Sequence, residues 1–303
     1  MSHSPGNPTK AILYAFTANF GIAIAKFVAA FYTGSSSMLA EGVHSTADTG
    51  NQLLLLLGLK RAEKAPDAEH PLGYGMSTYF WSFVVAVMLF SMGGLFSLYE
   101  GFHKLHSAEP LERAWVAILV LSISILLEGG SLLGALREIN AMRGDRSLWE
   151  WLHASRNSEL VVVYGEDLGA LVGLTLALCF LCLAVVTGEP QYDAYGSMAI
   201  GGVLLVISVF LAVRTHDLLI GRSADPRLQR ELRAHFQADE HVEEVFNLIT
   251  LQLGPRVLVA VKLRLREGLS NKLACQEVND LERRLRARYP QVGWSFVEVD
   301  VKN

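Results

Sequence analysis

Residues 160–186 read LVVVYGEDLGALVGLTLALCFLCLAVV, a run of 27 residues whose only charges are Glu166 and Asp167. A helix of that length rises about 40 Å, enough to cross a hydrocarbon core of about 30 Å. An ionisable side chain in hydrocarbon costs several kcal/mol, so the acidic pair marks function before it marks structure. Five other stretches are of the same kind. They run over about 11–32 with Lys26, 35–59 with Glu41, His44 and Asp48, 77–99 without charge, 114–136 with Glu128, and 195–213 without charge. The expected fold is an α-helical membrane protein: six transmembrane helices followed by a C-terminal cytoplasmic α+β domain.

Charge is spread unevenly. Of the 303 residues only 18% are charged, against roughly 25% in ordinary soluble domains. Residues 215–303 hold 14 Lys/Arg and 13 Asp/Glu, nearly half the total in under a third of the chain. This divides the chain into a transport domain over 1–214 and a soluble tail over 215–303. The net charge of −4 argues against a nucleic-acid partner. Three cysteines, Cys179, Cys182 and Cys275, exclude a disulfide scaffold and a four-cysteine zinc module. Ser2–Thr9 is polar and is followed by no small-residue cleavage site, so the first apolar segment is expected to stay in the membrane. Lys10, Lys60, Arg61, Lys64, Arg137, Arg143, Arg146 and Arg156 fall on one side, against Lys104 and Arg113 on the other. The excess places both termini in the cytoplasm. The expected location is a bacterial inner membrane, crossed several times, with the lipid bilayer as the first partner.

The tail reads α-β-β-α-β. Asp225-Pro226 opens a helix through Phe236, with Asp as cap and Pro in the first turn. Val242–Leu253 and Val257–Leu265 are strands around Gly254-Pro255, Ser270–Arg288 is a helix, and Trp294–Val301 is a last alternating strand.

Within the membrane, His44 and Asp48 are four apart and share one helix face. Imidazole nitrogen and carboxylate oxygen both suit zinc and related divalent ions. Counted at 1.5 Å per residue, Asp48 lies about 18 Å from the outer side and Asp167 about 12 Å from the inner side, which is one level in a core of about 30 Å. His44, Asp48 and Asp167 are the expected metal ligands. Glu166 points about 100° from Asp167, so it is either a fourth ligand after a rotation or a hydrogen-bonding partner inside the bundle. Glu41 and Glu128 are candidate pathway groups. Lys26, toward the outer end of its segment, is expected to snorkel. Asp67 and His70, in the loop after the second segment, form a second, weaker candidate metal site.

Taken together, these motifs resemble the cation diffusion facilitator family. The resemblance rests on HxxxD at His44 and Asp48, within SMLAEGVHSTAD over 37–48. It rests also on Asp167 early in the fifth span, the H-P-L-G-Y-G loop over 70–75 and the small α+β tail. It implies a homodimeric exporter of Zn²⁺ or another divalent cation in exchange for protons, not an enzyme, with no cofactor beyond the transported ion. It also exposes departures. Val163 stands four before Asp167, where the family usually has a ligand, and Glu166-Asp167 resembles the subgroup with an acidic pair. Tyr74 stands where a third loop His occurs. The tail's metal positions hold Asn247, Lys262 and Glu298 beside Asp300, so no tail metal cluster is expected, and His235 and His241 are expected at the surface. Two alternatives are a transporter of Mn²⁺, Fe²⁺ or Co²⁺ and a non-transporting metal sensor or assembly protein. No HExxH occurs to support a metalloenzyme.

Overall fold

The computed structural model describes residues 7–33, 36–106 and 114–302; the side chains of 33–41 and 43 lie outside the described set. The chain forms two compact units. One comprises Met1–Lys60, Thr78–His153 and Asn157–His216; the other comprises Arg61–Ser77, Ala154–Arg156 and Asp217–Asn303.

The first unit is helical. It contains α1 (Pro8–Thr33), most of α2 (Ser36–Ala62), α3 (Ser77–Met88), a π-helical segment (Leu89–Leu95), α4 (Phe96–His106), α5 (Ala114–Arg143), α6 (Leu148–Ala154), α7 (Ser158–Thr187) and α8 (Gln191–Leu219). Among the described residues, five helical runs are long and apolar enough to cross a membrane: Pro8–Tyr32, Ser77–His106, Ala114–Arg143, Ser158–Thr187 and Gln191–Leu219. The sixth long helix, α2, has 27 residues and is diluted by polar ones. Large apolar side chains stand open on this unit, among them Phe31 (84% exposed), Leu126 (76%) and Val206 (72%). Such a surface suits lipid and not water. The chain is an integral membrane protein.

Close packing follows from small residues. Gly165, Gly169 and Gly173 recur every fourth residue on α7. A Cβ on any of them would press to within 3.0–3.2 Å of Leu211, Ile207 or Ile200 of α8. Lipid tails are as apolar as leucine, so this backbone-level fit, rather than hydrophobic burial, brings such helices together. The helix α6 was not foreseen in the sequence. Ser147 Oγ accepts from Glu150 N (3.2 Å) and Glu150 Oε2 accepts from Ser147 N (3.0 Å), a reciprocal cap. Trp151 and Leu152 are buried in the helical core.

In the second unit, β1 (Val242–Leu253), β2 (Arg256–Leu265) and β3 (Val292–Val299) form a sheet in that order. β1–β2 is antiparallel and β2–β3 parallel. Val257, Val259, Val261, Leu263 and Leu265 alternate onto the buried face. There they meet Leu232 and Phe236 of α9 (Pro226–Gln237) and Leu281 and Leu285 of α10 (Asn271–Arg288). Asp225 caps α9 through Arg227 N at 2.8 Å, with Pro226 in its first turn. The opposite face carries Ile249, Ala260 and Phe296 in one register row; Ile249 and Phe296 are well exposed.

Candidate metal pathway

Four helices of the first unit supply the polar groups. On α2, His44 Nε2 lies 3.9 Å from Asp48 Oδ2, as the i, i+4 spacing requires. The His44 ring stacks on Phe96 with centroids 6.4 Å apart; Phe96 directly follows the π-helical segment. π-Helical turns are frequent at functional sites, and this one sits beside the imidazole.

The same α2 face continues through Asn51 and Gln52, three and four residues beyond Asp48. Asn51 Nδ2 donates to Glu166 Oε1 at 2.9 Å, and Gln52 Nε2 donates to Glu166 Oε2 at 2.7 Å. Both carboxylate oxygens of Glu166 are therefore taken up by α2, and α2 is tied to α7 beside Asp167. Asp167 is 1% exposed. Its Oδ2 accepts from Ser131 Oγ of α5 at 2.7 Å, while its Oδ1 has no hydrogen-bond partner. Glu128, one turn before Ser131 on α5, is 3% exposed with Oε2 unpartnered. Asp48, Glu166, Asp167 and Lys26 all lie within electrostatic reach of it. Lys26 is 5% exposed, so it stays among the helices and does not snorkel, within electrostatic reach of Glu128. The side chain of Glu41 lies outside the described residues.

His44, Asp48 and Asp167 do not close to direct ligand spacing in this conformation. Among the described residues, the one trio of His, Cys, Asp or Glu with ligand atoms within 4.8 Å of one another is Asp239, His241 and Glu277, in the tail unit.

The loop candidate is a self-braced turn. Asp67 Oδ1 accepts from His70 N (2.8 Å) and Glu69 N (3.2 Å). Its Oδ2 accepts from Tyr74 Oη (2.7 Å) and Lys64 Nζ (3.0 Å). The Tyr74 hydroxyl first, then Lys64 and the His70 amide, hold the carboxyl well below the usual carboxylate range. His70 Nδ1 remains 3.5 Å from Asp67 Oδ1. Tyr74 fills the place of a third loop His with a donor to Asp67.

A family model of the cation efflux transmembrane domain matches residues 12–220, well over half the chain. The chain belongs to the cation efflux family. It is similar to the mouse and human proteins named proton-coupled zinc antiporter SLC30A9, mitochondrial, at 33% and 34% identity over 249 residues. Each of these alignments covers 82% of this chain and 44% of the relative. It is also similar to metal tolerance protein C4 of Arabidopsis thaliana, 32% identical over 248 residues, covering 81% of this chain and 54% of the relative. The chain spans about half the length of these relatives.

Within this cation efflux protein, the tail positions that depart from the family pattern share one row of the open sheet face: Asn247 pairs with Lys262, and Lys262 with Glu298. Lys262 Nζ lies 2.7 Å from Asp300 Oδ2 and 3.7 Å from Glu298 Oε1. An ammonium thus compensates carboxylates that would otherwise face one another. The Asp239–His241–Glu277 trio is elsewhere, at the start of β1 and on α10. His241 Nδ1 is 3.1 Å from Glu277 Oε2, and Arg284 Nη2 is 2.7 Å from Asp239 Oδ2. That cluster is not legible in the sequence because Glu277 on α10 lies 36 and 38 residues from His241 and Asp239. His235 and His241 are half-buried, not surface residues as expected. His235 packs edge-on to Tyr289 with centroids 5.6 Å apart, and desolvation pushes its pKa down. Asn51 and Gln52 were also missed, although their spacing from Asp48 was visible.

Proposed function

We propose that this protein exports a divalent metal cation, Zn²⁺ foremost, across its membrane in exchange for protons. The observation that carries the reading is the placement of ionisable groups. His44 and Asp48 on α2 and Asp167 on α7 lie on two helices joined by the Asn51/Gln52–Glu166 bracket, in a helical bundle that also buries Lys26 and Glu128. The relatives named as proton-coupled zinc antiporters support the cargo and the coupling.

The chemistry follows from the donors. Metal binding requires neutral imidazole and ionised carboxylate, so a cation arriving from the cytoplasmic side displaces protons from His44, Asp48 and Asp167. Rearrangement of the helices then exposes the groups outward, where external protons compete for the same atoms and release the metal. Protonation lowers the cost of returning an empty anionic site through a low-dielectric interior. The π-helical segment beside His44 is a natural point for that rearrangement, because its hydrogen-bond pattern is already out of α-helical register.

The working unit is a homodimer with both tails cytoplasmic, in a bacterial inner membrane or another membrane that holds a proton gradient. The Ile249–Ala260–Phe296 row is an apolar surface suited to a second copy. The test is Zn²⁺ uptake into inverted vesicles under an imposed proton gradient, with proton flux followed in parallel. Uptake is expected to collapse in Asp48→Ala and in Asp167→Ala; undiminished uptake in both would remove the site assignment.

A further inference from the structure

The fourth position of the pathway on α7 is filled by Val163, a side chain with no donor and no exposure. We infer that Glu128 of α5 supplies the missing ligand, so that the cation is held by one imidazole and three carboxylates drawn from three helices. The inference rests on the transport reading above and goes beyond it by naming a residue and a helix outside the α2–α7 pair.

Two hydrogen-bonded contacts set the levels. Asn51 and Gln52 meet Glu166, and Ser131 meets Asp167, its sequence neighbour. Asp48 is three residues before Asn51 on α2, and Glu128 is three residues before Ser131 on α5. The second and fourth spans of an alternating bundle run in the same direction. Each carboxylate therefore stands about 4.5 Å along the axis, on the same side of the Glu166–Asp167 pair. Asp48 and Glu128 consequently occupy one level, on α2 and α5, one turn outward of Asp167, with His44 a further turn out. Val163 lies about 6 Å from Asp167 in the other direction along α7. A ligand at Val163 would extend the site inward, whereas Glu128 closes it at the level of Asp48.

The free atoms agree with a ligand between these groups. Glu128 Oε2 and Asp167 Oδ1 are buried without partners, although both sit in a polar neighbourhood. So are the amide oxygens of Asn51 and Gln52, at 3% and 0% exposure, and Ser124 Oγ, four residues before Glu128 on the same α5 face. Buried acceptors without donors are costly, and these lie within about one helical turn to either side of the Asp48–Glu128 level, where a cation would satisfy the carboxylate oxygens. A donor set of one nitrogen and three carboxylates is harder than a two-histidine set. It admits Co²⁺, Fe²⁺ and Mn²⁺ beside Zn²⁺.

Co²⁺ is the probe, because its visible bands report ligand number and geometry. The full chain in detergent micelles is titrated as wild type and as variants. Glu128→Gln is expected to weaken Co²⁺ binding at least about tenfold and to change the bands. Glu128→Asp, which keeps the charge on a shorter arm, is expected to bind with altered bands. Wild-type affinity and bands in either variant overturn the assignment. Recovery of wild-type binding in the double variant Lys26→Met/Glu128→Gln also overturns it, since Glu128 would then be a counter-ion of Lys26. Asp48→Asn and Asp167→Asn run beside these. If they too leave binding unchanged, the transport site itself is misplaced; if they abolish it while Glu128→Gln does not, Glu128 alone is removed.

Discussion

Replacing Gln52 by Leu tests whether Glu166 joins α2 to α7. Gln52 is fully buried, and its Nε2 donates to Glu166 Oε2 at 2.7 Å. A typical net hydrogen bond contributes about 0.5–1.5 kcal/mol, and a buried acceptor stripped of its donor costs about 1–3 kcal/mol. Gln52 Oε1 has no partner, so removing it relieves one desolvated acceptor and offsets part of that loss. The expected cost of Gln52→Leu is about 1–2 kcal/mol. Glu166→Leu leaves the amides of Asn51 and Gln52 both without an acceptor, at about 1–3 kcal/mol each. The double variant removes both sides of the Gln52–Glu166 pair at near-constant volume. It should therefore be less destabilised than the sum of the singles, with a coupling energy of about 1–3 kcal/mol. Equilibrium unfolding of the full chain in mixed micelles, followed by tryptophan fluorescence, supplies the four corners of the cycle. Additivity within about 0.5 kcal/mol would show that the two side chains do not act on one another and would refute the bracket.

Three further outcomes follow from the second unit. A Cβ on Gly75 would collide with the carbonyl of Leu253, and one on Gly254 (φ +63°) with the carbonyl of Gly75; neither obstacle is a flexible side-chain end. Gly75→Ala should therefore separate the 61–77 loop from the β1–β2 turn and raise hydrogen exchange in both, and unchanged protection would refute the contact. His235 has a folded pKa below its ordinary value of 6.5, so the folded state holds fewer protons than the unfolded chain as pH falls toward and below that value. Its contribution is present above about 6.5 and lost on acidification. His235→Phe should blunt the loss of α9 and α10 protection between about pH 7 and pH 5, and an unchanged acid profile would exclude His235 as its source. Finally, because Lys262 compensates Asp300 and Glu298, a metal chelator should leave the proposed dimer intact whereas Phe296→Glu should weaken it. Light scattering that shows monomers on chelation would place a metal in the interface.

The parts legible in the sequence are those with a strong local cause. Apolar runs longer than the membrane is thick marked the long helices, Asp225-Pro226 and Ser270 marked helix starts, and strict alternation over Val257–Leu265 marked β2 and its buried face. What escaped was settled by partners distant in the chain. Glu166 could be placed on a helix face from spacing alone, but whether it held a metal or a neighbour depended on α2, more than a hundred residues away. The relevant signal was nonetheless local: Asn51 and Gln52 extend the His44–Asp48 stripe by one turn, and two amides in an apolar span need acceptors as much as a carboxylate needs donors. Lys26 was misplaced for the same reason, since the carboxylate within its electrostatic reach, Glu128, sits on another helix about a hundred residues away. The helix α6 was missed although Ser147-Leu-Trp-Glu150 spells a capping box, because its seven residues give too short a period to read. In a membrane bundle each polar side chain therefore constrains the others. Val163 makes the point from the opposite direction: an apolar residue stands at an expected ligand position, while among the described residues Glu128 on α5 and Asp167 on α7 each keep a buried carboxylate oxygen without a partner.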